Sequence, residues 1–198
     1  MPDGGAMPKD GTRPDGGTPP QAGMGQGGQG GEMAAGDYSI TITGGQLTVN
    51  AEGDGLDSNG DATITGGTVI VHGPTTSGNG ALDVNGTLTV DGGTIAAAGS
   101  AGMAQGLGSS SAQSGVQISF KSAVPAGTLI QIADADGNIV GSFVPAKKAS
   151  SLVYSSAEIT SGEAYTVYTG GTEGSLDRAT EASTVTAGEY PQGFGGGF

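Results

Sequence analysis

The chain of 198 residues contains no cysteine and no tryptophan, a single histidine, and six Lys and Arg against 19 Asp and Glu. Without cysteine there are no disulfides, no thiolate metal ligands and no thiol nucleophile. A net charge of −13 leaves little with which to displace counterions from a phosphate backbone, so nucleic acid and anionic membrane surfaces are poor partners. An anionic polymer would need a bridging cation. No apolar run approaches the ~20 residues of a membrane span, so no membrane insertion is expected. Met1-Pro2-Asp3-Gly4-Gly5 is not the opening of a secretory signal; on this reading the chain is either not exported or a fragment.

Large apolar residues are also scarce: Val, Ile, Leu and Phe number 34 in all. None falls in residues 1–37, which hold 12 Gly and 5 Pro, whereas residues 38–168 hold 30 of them. That partition predicts a disordered Gly/Pro-rich linker over 1–37, one domain over 38–170 and a disordered Gly-rich tail over 171–198. The 42 glycines follow no Gly-X-Y period, which excludes a collagen helix.

What is present is a repeat. Gly44-Gly45 recurs as Gly66-Gly67 and Gly92-Gly93, at spacings of 22 and 26 residues. Ahead of each pair stands an alternating segment, Ile40 to Thr43, Ala62 to Thr65 and Leu88 to Asp91. Behind it stands another, Leu47 to Val49, Val69 to Val71 and Ile95 to Ala97. Gly55 to Gly60 and Ala81 to Gly86 supply a third. Three short strands per repeat, with turns at every corner, describe an all-β parallel β-helix or solenoid. Ile42, Ile64 and Val90 would line one wall, Leu47, Val69 and Ile95 the second, and Leu56 and Leu82 the third. Residues 72–78 read as an insertion loop. Later strands between residues 116 and 168 read as irregular coils or a C-terminal β-strand cap, with Asp136-Gly137 as a hairpin turn.

One corner is rich in hard oxygen donors. Glu52, Asp54, Asp57, Asn59 and Asp61 crowd a single turn, and Asp83 with Asn85 recurs 26 residues after Asp57 and Asn59. Asp54, Asp57, Asn59, Asp61, Asp83 and Asn85 are therefore the candidate ligands for Ca2+. Stacked in register, Asp57 and Asp83 would repel by roughly 1 kcal/mol in water and more where water is scarce, a term that a bound cation reverses. The plainer reading is that Asp, Asn and Gly make good turns, with Asn59 over Asn85 as a hydrogen-bonded ladder. No EF-hand is present, since the twelfth position from Asp57 is Thr68. Asp134 to Asn138 reads as a hairpin rather than a second calcium loop.

Catalytic groups are few. His72 stands alone beside the insertion loop and reads as incidental, and Lys147-Lys148 as a solvated turn after Pro145. No phosphate loop is present. Tyr154, Tyr165 and Tyr168 could stack on sugar rings, or equally pack in a core. Thr41, Thr63 and Thr89 form an outward threonine ladder.

Gly53-Asp54-Gly55-Leu56-Asp57-Ser58-Asn59-Gly60, Ile64-Thr65-Gly66-Gly67-Thr68-Val69 and Gly73-Pro74-Thr75 through Asn79-Gly80-Ala81-Leu82-Asp83 resemble a bacterial carbohydrate-binding β-helix family, formerly a domain of unknown function. The resemblance runs over about residues 37–170, most closely over the second repeat. It implies a right-handed parallel β-helix that binds calcium, with affinity for cellulose and for acidic polymers such as polygalacturonate, in secreted or surface proteins without established catalysis. Members usually carry a signal peptide and further coils upstream, so this chain corresponds to a C-terminal half.

The reading that emerges is a non-catalytic, calcium-dependent module, extracellular or at the cell surface, probing plant cell-wall or other polysaccharide as a monomer. The alternatives are a surface adhesin or β-helix spacer without a sugar ligand, and a divergent polysaccharide lyase.

Overall fold

A computed structural model describes residues 36–191. The expectation for 1–37 therefore falls, but for its last two residues, outside the described residues. Those described form fourteen strands and no helix. The alternating segments fold where their period places them. β1 (Ser39–Ile42), β4 (Asp61–Ile64) and β7 (Leu88–Val90) pair in parallel, with Ile42 against Ile64 and Ile64 against Val90. β2 (Gln46–Asn50), β5 (Thr68–His72) and β8 (Thr94–Gly99) do the same, aligning Leu47, Val69 and Ile95. The short β3 (Leu56–Ser58) and β6 (Leu82–Val84) form a third parallel pair. The second glycine of each Gly-Gly pair turns the chain in the left-handed region, with φ of 81°, 89° and 92° at Gly45, Gly67 and Gly93. A Cβ on Gly67 would lie 2.7 Å from the Gly44 carbonyl carbon and the Gly45 oxygen, so glycine is required for approach as well as for φ.

The single right-handed parallel β-helix expected over 38–170 is not what the chain forms. The described residues form four separate sheets, two parallel, one mixed and one antiparallel, none closed and none a continuing solenoid. Parallel pairing stops at β8. From there β9 (Gly115–Val124), β10 (Ile130–Ala133), β11 (Ile139–Phe143), β12 (Ala149–Ser155), β13 (Ala164–Thr172) and β14 (Ser175–Thr186) pair only antiparallel. β12 runs antiparallel to both β8 and β9, which yields the mixed sheet β2-β5-β8-β12-β9. The physical reason lies in the connections. After Gly99 the spacing near two dozen residues is lost, and hairpins such as Asp134 to Asn138 make antiparallel neighbours, whereas parallel neighbours need long crossovers.

The mixed sheet divides two cores. On one face, Ile64, Val69, Val71, Leu82, Leu88, Val90, Ile95 and Val153 pack among the parallel strands. On the other, Ala96, Ala98, Ile118, Leu152 and Tyr154 pack against Ile130, Ile132, Phe143 and Val167 of the antiparallel sheet β11-β10-β13-β14. β8 is buried on both faces from Ile95 to Gly99, which explains its run of three small alanines. The antiparallel sheet is thus a second layer and not an end cap.

The tail expected over 171–198 is also corrected. β14 is a 12-residue strand paired along β13 from Ala164–Thr186 to Thr172–Ser175. Its sequence looked polar because it is an outer strand, half exposed along most of its length. Beyond it the chain crosses back: Gly115 N–H donates to Tyr190 Oη at 3.1 Å and Gln117 Nε2 donates to the Pro191 carbonyl at 2.9 Å. Residues 192–198 lie outside the described residues.

Candidate binding site at the acidic corner

Six residues were expected to gather around calcium, and the fold sorts them into two groups. Asn59, Asp61 and Asn85 are spent on ladder structure. Asn85 Nδ2 donates to Asn59 Oδ1 at 3.2 Å, and Thr87 N–H donates to Asp61 Oδ1 at 2.8 Å. Each bond spans 26 residues, one repeat, so these side chains fasten adjacent turns together.

Asp54, Asp57 and Asp83 form the other group. Asp57 and Asp83 are Cα partners in the β3–β6 ladder, and Asp54 precedes β3. Asp54 is held by Asn79 and Gly80, just past the 72–78 segment that the sequence reads as an insertion loop. Gly80 N–H donates to its Oδ1 at 2.8 Å, and the Asn79 amide, oriented to satisfy both its neighbours, donates Nδ2 to its Oδ2 at 3.2 Å. Asp57 is exposed, while Asp54 and Asp83 are half-buried. Partial burial pushes the Asp83 carboxyl above its ordinary value. The negative charges of Asp54 and Asp57 push it further, as does a hydrogen bond shared with Asp54. Asp83 therefore lies beside two carboxyls of like charge, Asp54 and Asp57.

The donor chemistry suits a hard cation, but the geometry supplies only part of a coordination sphere. Among the described residues, no three His, Asp or Glu side chains converge closely enough to hold an ion unaided. Calcium takes six to eight oxygens, so most would have to come from a ligand and from water.

The tyrosines expected to stack on sugars are placed differently. Tyr154 and Tyr165 are 6% and 3% exposed and belong to the core between the mixed and antiparallel sheets. Their ring faces are not available to a ligand. Tyr154 lies against Gly141, where a Cβ would meet its ring at 2.6 Å, and burial raises its hydroxyl pKa. Tyr165 Oη accepts from Thr160 N–H at 2.8 Å. Only Tyr168, on the opposite side of β13 from Val167, is half-exposed. The alternation of β13 carried this distinction, since Tyr165 and Val167 share a face.

The Asp134 hairpin satisfies its own polar groups. Asp134 Oδ1 accepts from the N–H groups of Asp136 and Asn138 at 3.0 and 2.8 Å, and Oδ2 from Asn138 Nδ2 at 2.9 Å. Those bonds, the Asn138 side chain's first, hold its carboxyl below the usual range. A shallow depression of about 650 Å³ lies between that hairpin and the β13–β14 turn, lined by Asn138, Ile139, Ser142, Glu173, Gly174 and Leu176.

Fold and site together define an all-β protein of two packed layers with an acidic edge on the parallel one. Compared with known family models, curated proteins and solved structures, the chain matches none.

Proposed function

We propose that the chain is a non-catalytic, extracellular polysaccharide-binding protein. It holds acidic polymers such as polygalacturonate through calcium shared between the Asp54, Asp57 and Asp83 carboxylates and those of the sugar. The supporting observation is the crowding at Asp83, whose ionisation is opposed by two neighbouring carboxylates in a half-buried setting. A protein of charge −13 repels a polyanion, and a divalent ion placed between them reverses the sign of that interaction. The incomplete cluster fits this role, since a bridging ion must keep positions open for the ligand. Calcium bound there would supply charge neutralisation and coordination to uronate oxygens, while Gly80 and Asn79 orient Asp54.

Burial of Tyr154 and Tyr165 argues against an aromatic platform for neutral cellulose. Non-catalytic action is favoured by the state of Lys147, because its Nζ, which reaches Ala51 and Glu52 just ahead of Asp54, already serves the Glu52 carboxylate and the Ala51 carbonyl. The test is retention on immobilised polygalacturonate with calcium and with a chelator. Retention that disappears on chelation is expected. Equal retention in both conditions rejects the bridge, and no retention in either favours a spacer, whose acidic corner serves only the ladder.

A further inference from the structure

His72 ends β5 and meets the turn of residues 144–148 that joins β11 to β12. Its imidazole stacks on Phe143, with ring centroids 5.4 Å apart and planes inclined by 25°. Its Nδ1 accepts from the backbone N–H of Ala146 at 3.2 Å, across 74 residues of sequence. An acceptor at Nδ1 requires the neutral ring with its proton on Nε2. Next along the turn, Lys147 Nζ donates to the Ala51 carbonyl and pairs with Glu52 Oε1 at 3.3 Å. The turn is thus fastened at two adjacent residues to the ends of β2 and β5.

We propose that His72 is a pH-sensitive latch, closed on the 144–148 turn while its ring is neutral and released when the ring is protonated. An imidazolium offers two donors and no acceptor, so Nδ1–H would face the Ala146 N–H instead of receiving it. The new positive charge would also stand beside that of Lys147. The charged group beside the ring is Lys147 on the turn, itself paired with Glu52, with Lys148 next along the turn and exposed. The strand neighbours in register with His72, Asn50 and Ala98, carry no charge, and neither does Phe143. Burial, and secondarily Lys147, lower the His72 pKa in the closed state. The sign follows: the latch contributes fully above the ordinary value near 6.5, and its contribution is lost as pH falls below that value. Release frees Lys147, one of only six cationic side chains in the chain, from Ala51 and Glu52.

The experiment is amide hydrogen exchange by NMR on the full chain at about pH 7.5 and about pH 5, corrected for intrinsic exchange. With an open-state imidazole titrating near 6.5 and a closed state that accepts only the neutral ring, Ala146 should lose protection by up to about thirty-fold at the lower pH. Ile132, in the core, should keep its protection. His72→Asn places Oδ1 where Nδ1 accepts but does not titrate, so its Ala146 protection should be the same at both pH values. Three results would overturn the latch: equal wild-type protection of Ala146 at both pH values, the same loss in His72→Asn, or parallel loss at Ile132. An imidazole titration midpoint at or above 6.5 in the folded chain would also overturn it.

Discussion

At the residue scale, the acidic corner separates turn-making from binding. Asn59, Asn85 and Asp61 have the composition of metal ligands, yet their polar atoms bond to the adjacent repeat. Asp83 does the opposite, since partial burial first, and then its acidic neighbours, disfavour its charge. With a folded-state pKa raised above the unfolded one, Asp83 contributes favourably below about pH 3.8, and that contribution is lost as pH rises through the raised value. Asp83→Asn should therefore stabilise the calcium-free protein at neutral pH, by no more than about 1 kcal/mol because the site is largely solvated. It should also reduce the rise in melting temperature on adding calcium. Both are read from thermal melts with calcium and with chelator, and an unchanged calcium response in the variant would remove Asp83 from the site.

At the element scale, the Gly-Gly turns set the register of the parallel strands. Thr68 N–H donates to the Gly45 carbonyl at 2.9 Å and Thr94 N–H to the Gly67 carbonyl at 2.8 Å, so each pair is tied to the one before it. Gly67→Ala meets both a left-handed φ and backbone atoms that have no room to move. Its expected cost is about 2 kcal/mol or more, measured by chemical denaturation. Gly127→Ala, also at positive φ but with open space around it, should cost less. Leu88→Ala, on β7 at a site 2% exposed in the parallel-strand core, should cost about 2–5 kcal/mol. These strands were legible because an apolar residue every second position, repeated at a near-constant interval, carries strand, facing and partner together. β14 was not legible. An outer strand needs apolar residues on one face only, and Ser175 to Thr186 interleaves Leu176, Ala179, Ala182 and Val185 with charge and hydroxyls.

At the scale of the whole molecule, the mixed sheet makes the two layers interdependent, because β8 and β12 each present side chains to both cores. The segment after β14 ties them further, as Tyr190 packs on the parallel-strand core while Gly188 N–H donates to the Gly115 carbonyl at 2.9 Å. Truncation after Thr172 should therefore expose β13 and unfasten Tyr190 at once. The expected loss exceeds about 5 kcal/mol, comparable with the whole stability of a small domain. The measurement is denaturant unfolding with a dye that reports exposed apolar surface; a truncated chain that unfolds with the full-length midpoint would disprove the interdependence. By itself the sequence determined the parallel ladders, their glycine turns and the acidic corner, because these rest on spacing between nearby residues and on local backbone conformation. Only the tertiary structure decided that β12 would join β8 antiparallel, that Tyr154 would face inward, and that Asp54 and not Asp61 would join Asp57 and Asp83. Those outcomes depend on which side of a two-faced sheet the later strands cover, and alternation along a strand defines two faces without saying which of them will be buried.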